Sequence, residues 1–299
     1  MATRAAVWWE AARPKTLWAA VSPVFIGIAL AFNANELHVL SAALALTGAI
    51  LIQIGTNYYN DLADFQKGAD SVDRQGPRRM VQAGMVTESE MRRATVLVFG
   101  LAVLSGVYLM VRGGWPIVGI GVSSILFGLA YTGGRFSLAY LGIADGFVLI
   151  FFGPVAVAGT YFVQTLSWSP VVWIAGLAPG FLAVSILLVN NIRDRAQDSI
   201  AGKKTLIVRL GRAFGQALYA FCILAACAVT IVLWQVYEAP VWILLSLLAV
   251  PLMLKTFLQL RSIPEAKSPS LNPVLAMTAR NLLVFSILFS LGWILGALG

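Results

Sequence analysis

The sequence predicts an all-α integral membrane protein with nine transmembrane helices and its N-terminus in the cytoplasm. Of the 299 residues, 59% are hydrophobic and only 11% are charged, whereas soluble domains carry about 25% charged residues. The apolar residues come in stretches of about 20, the length that a helix needs to cross a bilayer. No stretch alternates in the manner of membrane β-barrel strands. The basic residues fall almost entirely on one side of the resulting bundle.

Nine apolar segments are separated by connections that alternate between short and long. The predicted spans cover residues 17–33, 39–59, 94–111, 115–132, 142–163, 170–190, 213–236, 240–260 and 276–298. No apolar core typical of a cleavable signal peptide precedes Leu17, so we expect the first span to be retained. Trp8 and Trp9 before it are expected to lie in a short interfacial helix, because Trp favours the headgroup level.

The distribution of basic residues orients the chain. With nine spans, Arg112 alone of the 21 Lys and Arg residues falls on the side opposite the N-terminus. Basic loops stay in the cytoplasm, so we expect a multi-pass protein of the cell membrane with loops 60–93 and 191–212 on the cytoplasmic face. The net charge of +8 then follows from contact with the lipid bilayer and requires no nucleic acid. We expect one transmembrane domain over residues 1–299.

Polar and acidic side chains gather where the second and sixth spans end, on the same side of the membrane. Positions three or four apart share a helix face, so each cluster forms one stripe. The first stripe comprises Asn57, Asn60, Asp61 and Asp64, and the second comprises Asn190, Asp194 and Asp198. A divalent cation, which prefers several oxygen ligands, would offset the repulsion between the carboxylates. Solvated capping residues are the alternative, which the helix dipole at a C-terminus disfavours.

Basic residues beside the two stripes favour an anionic ligand. The candidates are Lys67, Arg74, Arg79, Arg193 and Lys203. Together with metal-bound carboxylates, such side chains suit a diphosphate, held by charge-assisted hydrogen bonds and bridging Mg²⁺. The preference of Lys and Arg for the cytoplasmic side would also place them here. The pattern therefore supports an anion-binding role for the cluster as a whole more strongly than for any single basic residue.

Two segments resemble the paired Asp-rich motifs of the UbiA superfamily of membrane aromatic prenyltransferases. They are NYYNDLADFQKGAD at 57–70 and NNIRDRAQDSIAGKKTL at 190–206. The first departs from the general pattern N-D-x-x-D-x-x-x-D, because Gly68 holds the last position and Asp70 follows two residues later. That variant is similar to the 1,4-dihydroxy-2-naphthoate branch of the superfamily. Segments at 13–17, 76–79 and 131–134 also resemble that branch, and the matches run from about residue 13 to residue 212.

The resemblance implies an enzyme that transfers a polyprenyl group from polyprenyl diphosphate to 1,4-dihydroxy-2-naphthoate, with loss of CO₂ and diphosphate, to give demethylmenaquinone. It implies Mg²⁺ bound by Asn57, Asn60, Asp61, Asp64, Asp194 and Asp198, of which the four aspartates are catalytic. The five basic residues named above would bind the diphosphate. We expect Lys15, Tyr131 and Asp145 to contact the aromatic acceptor. The isoprenoid tail would lie among apolar helices, open to lipid.

Two other functions stay open. Within the superfamily, a different acceptor such as 4-hydroxybenzoate or homogentisate would use the same metal site. A membrane transporter would instead carry polar residues along a pathway near the bilayer midplane. The acids of this chain cluster at one membrane edge, and this placement disfavours a transporter.

Overall fold

The described part of the chain is a bundle of helices, as the composition predicts. A computed structural model describes residues 3–68, 78–133 and 137–299. Within these ranges nine helical segments are long and apolar enough to cross a membrane, and they occur in the predicted order. The prediction of nine spans is confirmed, and the chain is a multi-pass membrane protein.

The helices are numbered along the chain. They are α1 (Arg4–Ala12), α2 (Pro14–Asn33), α3 (Val39–Gln66), α4 (Glu88–Gly113), α5 (Trp115–Thr132), α6 (Leu138–Leu141), α7 (Ala144–Phe151), α8 (Pro154–Thr165), α9 (Pro170–Ile200), α10 (Leu206–Val236), α11 (Val250–Ser262) and α12 (Leu271–Leu298). Two 3₁₀ segments, Val241–Ala249 and Glu265–Ser270, precede α11 and α12. Both α3 and α9 continue as helix beyond their apolar stretches, so each Asp-rich stripe lies on one helical surface.

Local signals in the sequence fix several helix starts. Proline occupies the first position of α2, α8 and α9, where its missing N–H leaves no intrahelical bond unmade. Thr87 and Glu90 form a reciprocal capping box at the start of α4, which satisfies two backbone donors. The expected N-terminal helix is α1, and Arg13 in the left-handed region, with φ of 52°, turns the chain from α1 into α2.

The helix α9 forms the centre of the bundle. It packs against α2, α7, α8, α10 and α12, and most of its apolar side chains are buried. By contrast, α4 exposes large apolar side chains such as Val96, Leu104 and Val111. Such side chains suit the lipid-facing surface of a membrane span, because lipid tails are as apolar as they are. The protein core therefore lies around α9, and α4 lies at the periphery.

The fifth span is broken in its middle, where Phe152 and Gly153 separate α7 from α8. This break packs directly against two glycines of α9. A Cβ atom on Gly176 would lie 2.5 Å from the Cα atom of Pro154, and one on Gly180 would lie 2.5 Å from the carbonyl oxygen of Leu149. Only glycine allows this approach of two backbones, so the close contact between the broken span and α9 depends on these positions.

Replacing Gly176 by alanine is expected to destabilise the protein. The new methyl group forces the break away from α9, and overpacking of this kind costs about 1–3 kcal/mol. Thermal unfolding in detergent, followed by size-exclusion chromatography, measures the shift in Tm. Gly100→Ala is the matched control, because Gly100 is exposed on α4. Apart from its chain neighbours and the nearby backbone of its own helix, a methyl group there would meet no atom of the described residues within 4 Å. Alanine also favours helix by up to about 1 kcal/mol. Equal Tm values for the two variants would contradict this account of the packing.

Candidate active site

The described residues surround a large cavity of about 1170 Å³. Asn60, Asp64, Asp194 and Asp198 line it where α3 and α9 end. Apolar side chains line the remainder, and those near the junction of α4 and α5 lie toward the opposite side of the bundle. The cavity thus has a charged end and a long apolar body, as a site for an amphipathic ligand requires.

The first stripe lines the charged end through Asn60 and Asp64. Arg79 donates from Nη2 to Asp64 Oδ2, and both side chains are almost fully buried. The second oxygen of Asp64, Oδ1, and Oδ1 of Asn60 are also buried, but neither accepts a hydrogen bond from the described residues. Buried oxygens without donors are costly, so these two atoms are suited to a cation that enters the cavity.

The other two members of the first stripe hold neighbouring backbone. Asp61 accepts hydrogen bonds from the backbone N–H groups of Met80 and Val81, at 2.9 and 3.2 Å, and it is not among the described residues that line the cavity. Asn57 does line the cavity, and its Nδ2 donates to the carbonyl oxygen of Ala12 at 2.9 Å. Asp61 therefore fixes the segment that carries Arg79, and Asn57 fixes the junction of α1 and α2.

The second stripe is paired with cations from its own neighbourhood. Arg193 holds Asp194 in a bidentate pair, from Nε to Oδ1 at 2.7 Å and from Nη2 to Oδ2 at 2.6 Å. Lys203 lies 3.0 Å from Asp198 Oδ1. All four side chains line the cavity. Each cavity carboxylate of the two stripes therefore has a basic partner in the structure.

Burial and charge act in opposite directions on the two lysines at the charged end. Burial lowers the pKa of Lys67; the attraction of Asp64 opposes that shift without reversing it, and repulsion from Lys203 lowers the pKa further. Burial would also lower the pKa of Lys203, but the carboxylates of Asp198 and Asp64 outweigh it and leave that pKa raised. Lys203 is therefore a firmly protonated cation beside the acidic stripes, as binding of an anion requires.

Sequence reasoning missed Tyr140, whose ring contacts both lysines. The Lys67 ammonium lies 4.7 Å from the ring centroid and that of Lys203 lies 5.8 Å away, within the range of cation–π attraction. Gly142, with φ of 75°, allows this segment to approach Lys204, whose carbonyl oxygen would lie 2.0 Å from a Cβ atom at that position. The resembling segment at 131–134 lies close to this region in sequence, but no motif marks Tyr140 itself.

The residues expected at the aromatic acceptor separate into two groups. Lys15 and Tyr131 line the cavity, whereas Asp145 is not among the described residues that do so. The Asp145 carboxylate is nevertheless partly buried, and its Oδ1 accepts no hydrogen bond from the described residues. Lys67 also lies outside the described lining, and it donates to the carbonyl oxygen of Thr132. Arg74 falls outside the described residues.

The charged end presents several oxygen donors without forming a complete metal centre. Among the described residues, no three acidic, His or Cys side chains lie close enough together to hold one ion. The available donors are carboxylate and amide oxygens, which are the ligands that Mg²⁺ and Ca²⁺ prefer. The two oxygens without hydrogen-bond donors on Asn60 and Asp64 therefore fit a hard divalent cation, with further ligands supplied by an anion that enters with it.

Replacing Tyr140 by leucine is expected to loosen Lys67 and Lys203. Cation–π pairs at partly exposed sites contribute about 0.5–1 kcal/mol, so trypsin should cleave after these lysines a few times faster. Initial cleavage rates after each lysine are measured by mass spectrometry on the detergent-solubilised protein. Tyr140→Phe keeps the ring and is the matched control, with rates near those of the wild type. The role assigned to the ring would be wrong if leucine and phenylalanine gave the same rates.

Comparison with known proteins places this geometry in a family. The UbiA prenyltransferase family matches residues 20–273. The chain is 36% identical to a Haemophilus influenzae protein named 1,4-dihydroxy-2-naphthoate octaprenyltransferase, with 97% of this chain and 96% of that protein covered. An Escherichia coli K12 protein of the same name gives the same identity and coverage.

A solved structure has the same fold at low sequence identity. A UbiA homologue from Archaeoglobus fulgidus, bound to GPP and Mg²⁺, is 16% identical to this chain, with a TM-score of 0.58 and coverage of 95% of this chain and 99% of that one. The matched family segment includes both Asp-rich stripes, and the resemblance seen in the sequence is confirmed. The chain belongs to the UbiA prenyltransferase family.

Proposed function

We propose that this protein transfers a polyprenyl group from polyprenyl diphosphate to 1,4-dihydroxy-2-naphthoate, with release of diphosphate and CO₂, and so makes demethylmenaquinol, the reduced form of demethylmenaquinone. The observation that carries the proposal is the cavity with paired charges at one end and apolar walls along the rest. It suits a ligand with an anionic head and a long hydrocarbon tail. The naphthoate acceptor rests on the 36% identity to the two bacterial relatives of that name.

The charged end is the proposed site of Mg²⁺ and the diphosphate. Asn60 and Asp64, with their open oxygens, would hold the metal together with Asp194 and Asp198. When bound, Mg²⁺ supplies positive charge that stabilises the diphosphate as it leaves. The A. fulgidus homologue, described as bound to GPP and Mg²⁺, supports this choice of ion. The backbone contacts of Asn57 and Asp61 hold the surrounding segments in place.

Basic side chains at the same end would bind the diphosphate oxygens. Arg79 and Lys203 line the cavity and already face the carboxylates of Asp64 and Asp198. With the diphosphate and its metal bound, these two cations would donate to phosphate oxygens, and the carboxylates of Asp64 and Asp198 would be ligands of the metal. Charge-assisted bonds of this kind stabilise the negative charge that develops on the leaving group.

The apolar body of the cavity would bind the prenyl chain and exclude water. Each buried CH₂ group contributes about 0.8 kcal/mol, so a long tail adds much of the binding energy. As the allylic C–O bond breaks, its electron pair leaves with the diphosphate, and a ring carbon of the acceptor forms the new C–C bond. The acceptor carboxylate then leaves as CO₂. Lys15 and Tyr131, which line the cavity, are the proposed acceptor contacts, and dry walls protect the allylic cation.

The charged end is proposed to face the cytoplasm, where the basic loops are expected. Diphosphate substrates and Mg²⁺ are then available from the aqueous phase beside the ends of α3 and α9. The tail enters from the bilayer, and the product stays there. This arrangement makes the cell membrane the proposed location.

A reconstitution assay tests the proposed reaction. Purified protein in detergent is given Mg²⁺, octaprenyl diphosphate and 1,4-dihydroxy-2-naphthoate labelled in its carboxyl group. We expect labelled CO₂, diphosphate and the prenylated product in equal amounts, and loss of all three after removal of divalent metal. Parallel reactions with 4-hydroxybenzoate and homogentisate test the alternative acceptors. Prenylation of one of these without turnover of the naphthoate would overturn the proposed acceptor. If no acceptor gives release of diphosphate, the proposal that the protein is a prenyltransferase is wrong.

The carboxylates of the charged end are expected to be essential. Asp64→Asn and Asp194→Asn keep the side-chain shape but remove a charge from the site, and each should slow turnover at least about 100-fold, on the scale of losing one group that stabilises the transition state. Size-exclusion profiles check that both variants remain folded. Glu36→Gln, at an exposed position between α2 and α3, is the control and should retain wild-type activity. Near-normal turnover in both aspartate variants would show that these residues act only as helix-end polar groups.

A further inference from the structure

Arg193 is a buried cation whose hydrogen bonds are directed at protein groups. Its side chain is 1% exposed. Nε and Nη2 hold the two oxygens of Asp194, Nη2 also donates to Asn190 Oδ1 at 2.6 Å, and Nη1 donates to Asn272 Oδ1 at 2.9 Å. All three nitrogens of the guanidinium are therefore engaged. The expectation that Arg193 binds the diphosphate does not follow from this arrangement.

Asn272 differs from the other partners because it comes from a distant part of the chain. Asp194 and Asn190 are neighbours of Arg193 on α9, whereas Asn272 is the second residue of α12 and lies 79 positions away in sequence. It lines the same cavity. Without Asn272, Nη1 of a buried guanidinium would lose its acceptor, and a buried charged donor without a partner is strongly unfavourable.

The start of α12 is held in place by groups other than Asn272. Leu271 and Val274 on either side of it are buried in the main core. Arg212 donates from Nη2 to the carbonyl oxygen of Leu260 at 3.1 Å, which secures the end of α11. An exposed ion pair between Arg195 and Glu265, at 2.8 Å, provides a second link between α9 and the segment before α12. The position of Asn272 is thus fixed by packing, and its side chain is available to orient Arg193.

We propose that Asn272 is a positioning residue of the active site, which fixes the Arg193 side chain so that Arg193 holds the Asp194 carboxylate in place at the cavity wall. The inference rests on the proposed function. A carboxylate offers about four lone-pair sites, so the two bonds from Arg193 leave further lone pairs for a metal. Fixing a ligand through its outer partners is a common way to maintain metal affinity.

The proposal predicts a specific defect when the contact is lost. Asn272→Ala should weaken metal binding by up to about tenfold, the lower end of the scale for removing a direct outer partner of a metal ligand, because Asn272 acts on Asp194 through Arg193. The dissociation constant of Mn²⁺, a paramagnetic substitute for Mg²⁺, is measured by electron paramagnetic resonance on the protein saturated with a non-hydrolysable prenyl thiodiphosphate, whose diphosphate supplies further ligands to the metal. The Mg²⁺ concentration for half-maximal turnover should rise by a similar factor. The KM for prenyl diphosphate at saturating Mg²⁺ should stay within about threefold of the wild-type value. The variant keeps the interactions that bind the substrate equally in the ground state and the transition state.

Two further variants separate positioning from a general effect on structure. Asn272→Asp keeps an oxygen within reach of Arg193 Nη1 and should restore metal binding close to the wild-type value. Glu265→Gln removes the exposed pair with Arg195, which links α9 to the segment just before α12, and should leave both metal constants unchanged. Where alanine at 272 prevents folding, Asn272→Ser, whose hydroxyl is too short to reach Arg193, replaces it in the comparison with Asn272→Asp.

Several results would overturn the proposal. A raised KM for prenyl diphosphate with an unchanged Mn²⁺ constant would mean that Arg193 binds the diphosphate itself. An equal loss of Mn²⁺ affinity in Asn272→Ala, Asn272→Asp and Glu265→Gln would mean that the contact between Asn272 and Arg193 only secures the segment around the start of α12. Wild-type metal constants in Asn272→Ala would mean that it does nothing for the site. A wild-type protein that binds Mn²⁺ but makes no product would instead refute the proposed function. The Mn²⁺ dissociation constants of the variants would still decide the role of Asn272.

Discussion

The pairing of each cavity carboxylate of the two Asp-rich stripes with its own buried or partly buried cation is the interaction on which the site depends. Asp64, Asp194 and Asp198 are buried, and a buried charge without a partner is very costly. Their partners are Arg79, Arg193 and Lys203. Arg79 and Lys203 come from the segments that follow α3 and α9. Two of these pairs therefore also hold the connecting segments at the charged end of the cavity.

The same pairing explains how one site can bind both a cation and an anion. The positive and negative side chains are close to balance before ligand enters, and a divalent metal with a diphosphate brings both signs of charge together. In the proposed complex the carboxylates would hold the metal, and Arg79 and Lys203 would donate to the phosphate oxygens. Because neither charge has to be buried alone, the desolvation cost is shared among all the groups. Arg193, held on several sides, instead maintains the position of Asp194.

The sequence predicted the fold well because hydrophobic length and charge asymmetry act along the chain. The nine spans and the helical stripes depend on spacings within one segment, and helical continuation through Gln66 and Ile200 confirmed that each stripe lies on one surface. Contacts between distant segments were not predictable. Asp61 belongs to the first stripe by spacing, yet it accepts from Met80 and Val81. Asn272 has no charge or motif to mark it, and only packing of α12 against α9 brings it to Arg193.

The most direct test of the central claim is a cryo-electron microscopy structure with Mg²⁺ and a non-hydrolysable prenyl thiodiphosphate. The account predicts the diphosphate within hydrogen-bonding distance of Arg79 and Lys203, metal density beside Asn60 and Asp64, and the prenyl chain along the apolar body of the cavity. It also predicts that Arg193 keeps its contact with Asp194. A diphosphate bound away from the ends of α3 and α9, or a prenyl chain outside the cavity, would contradict it.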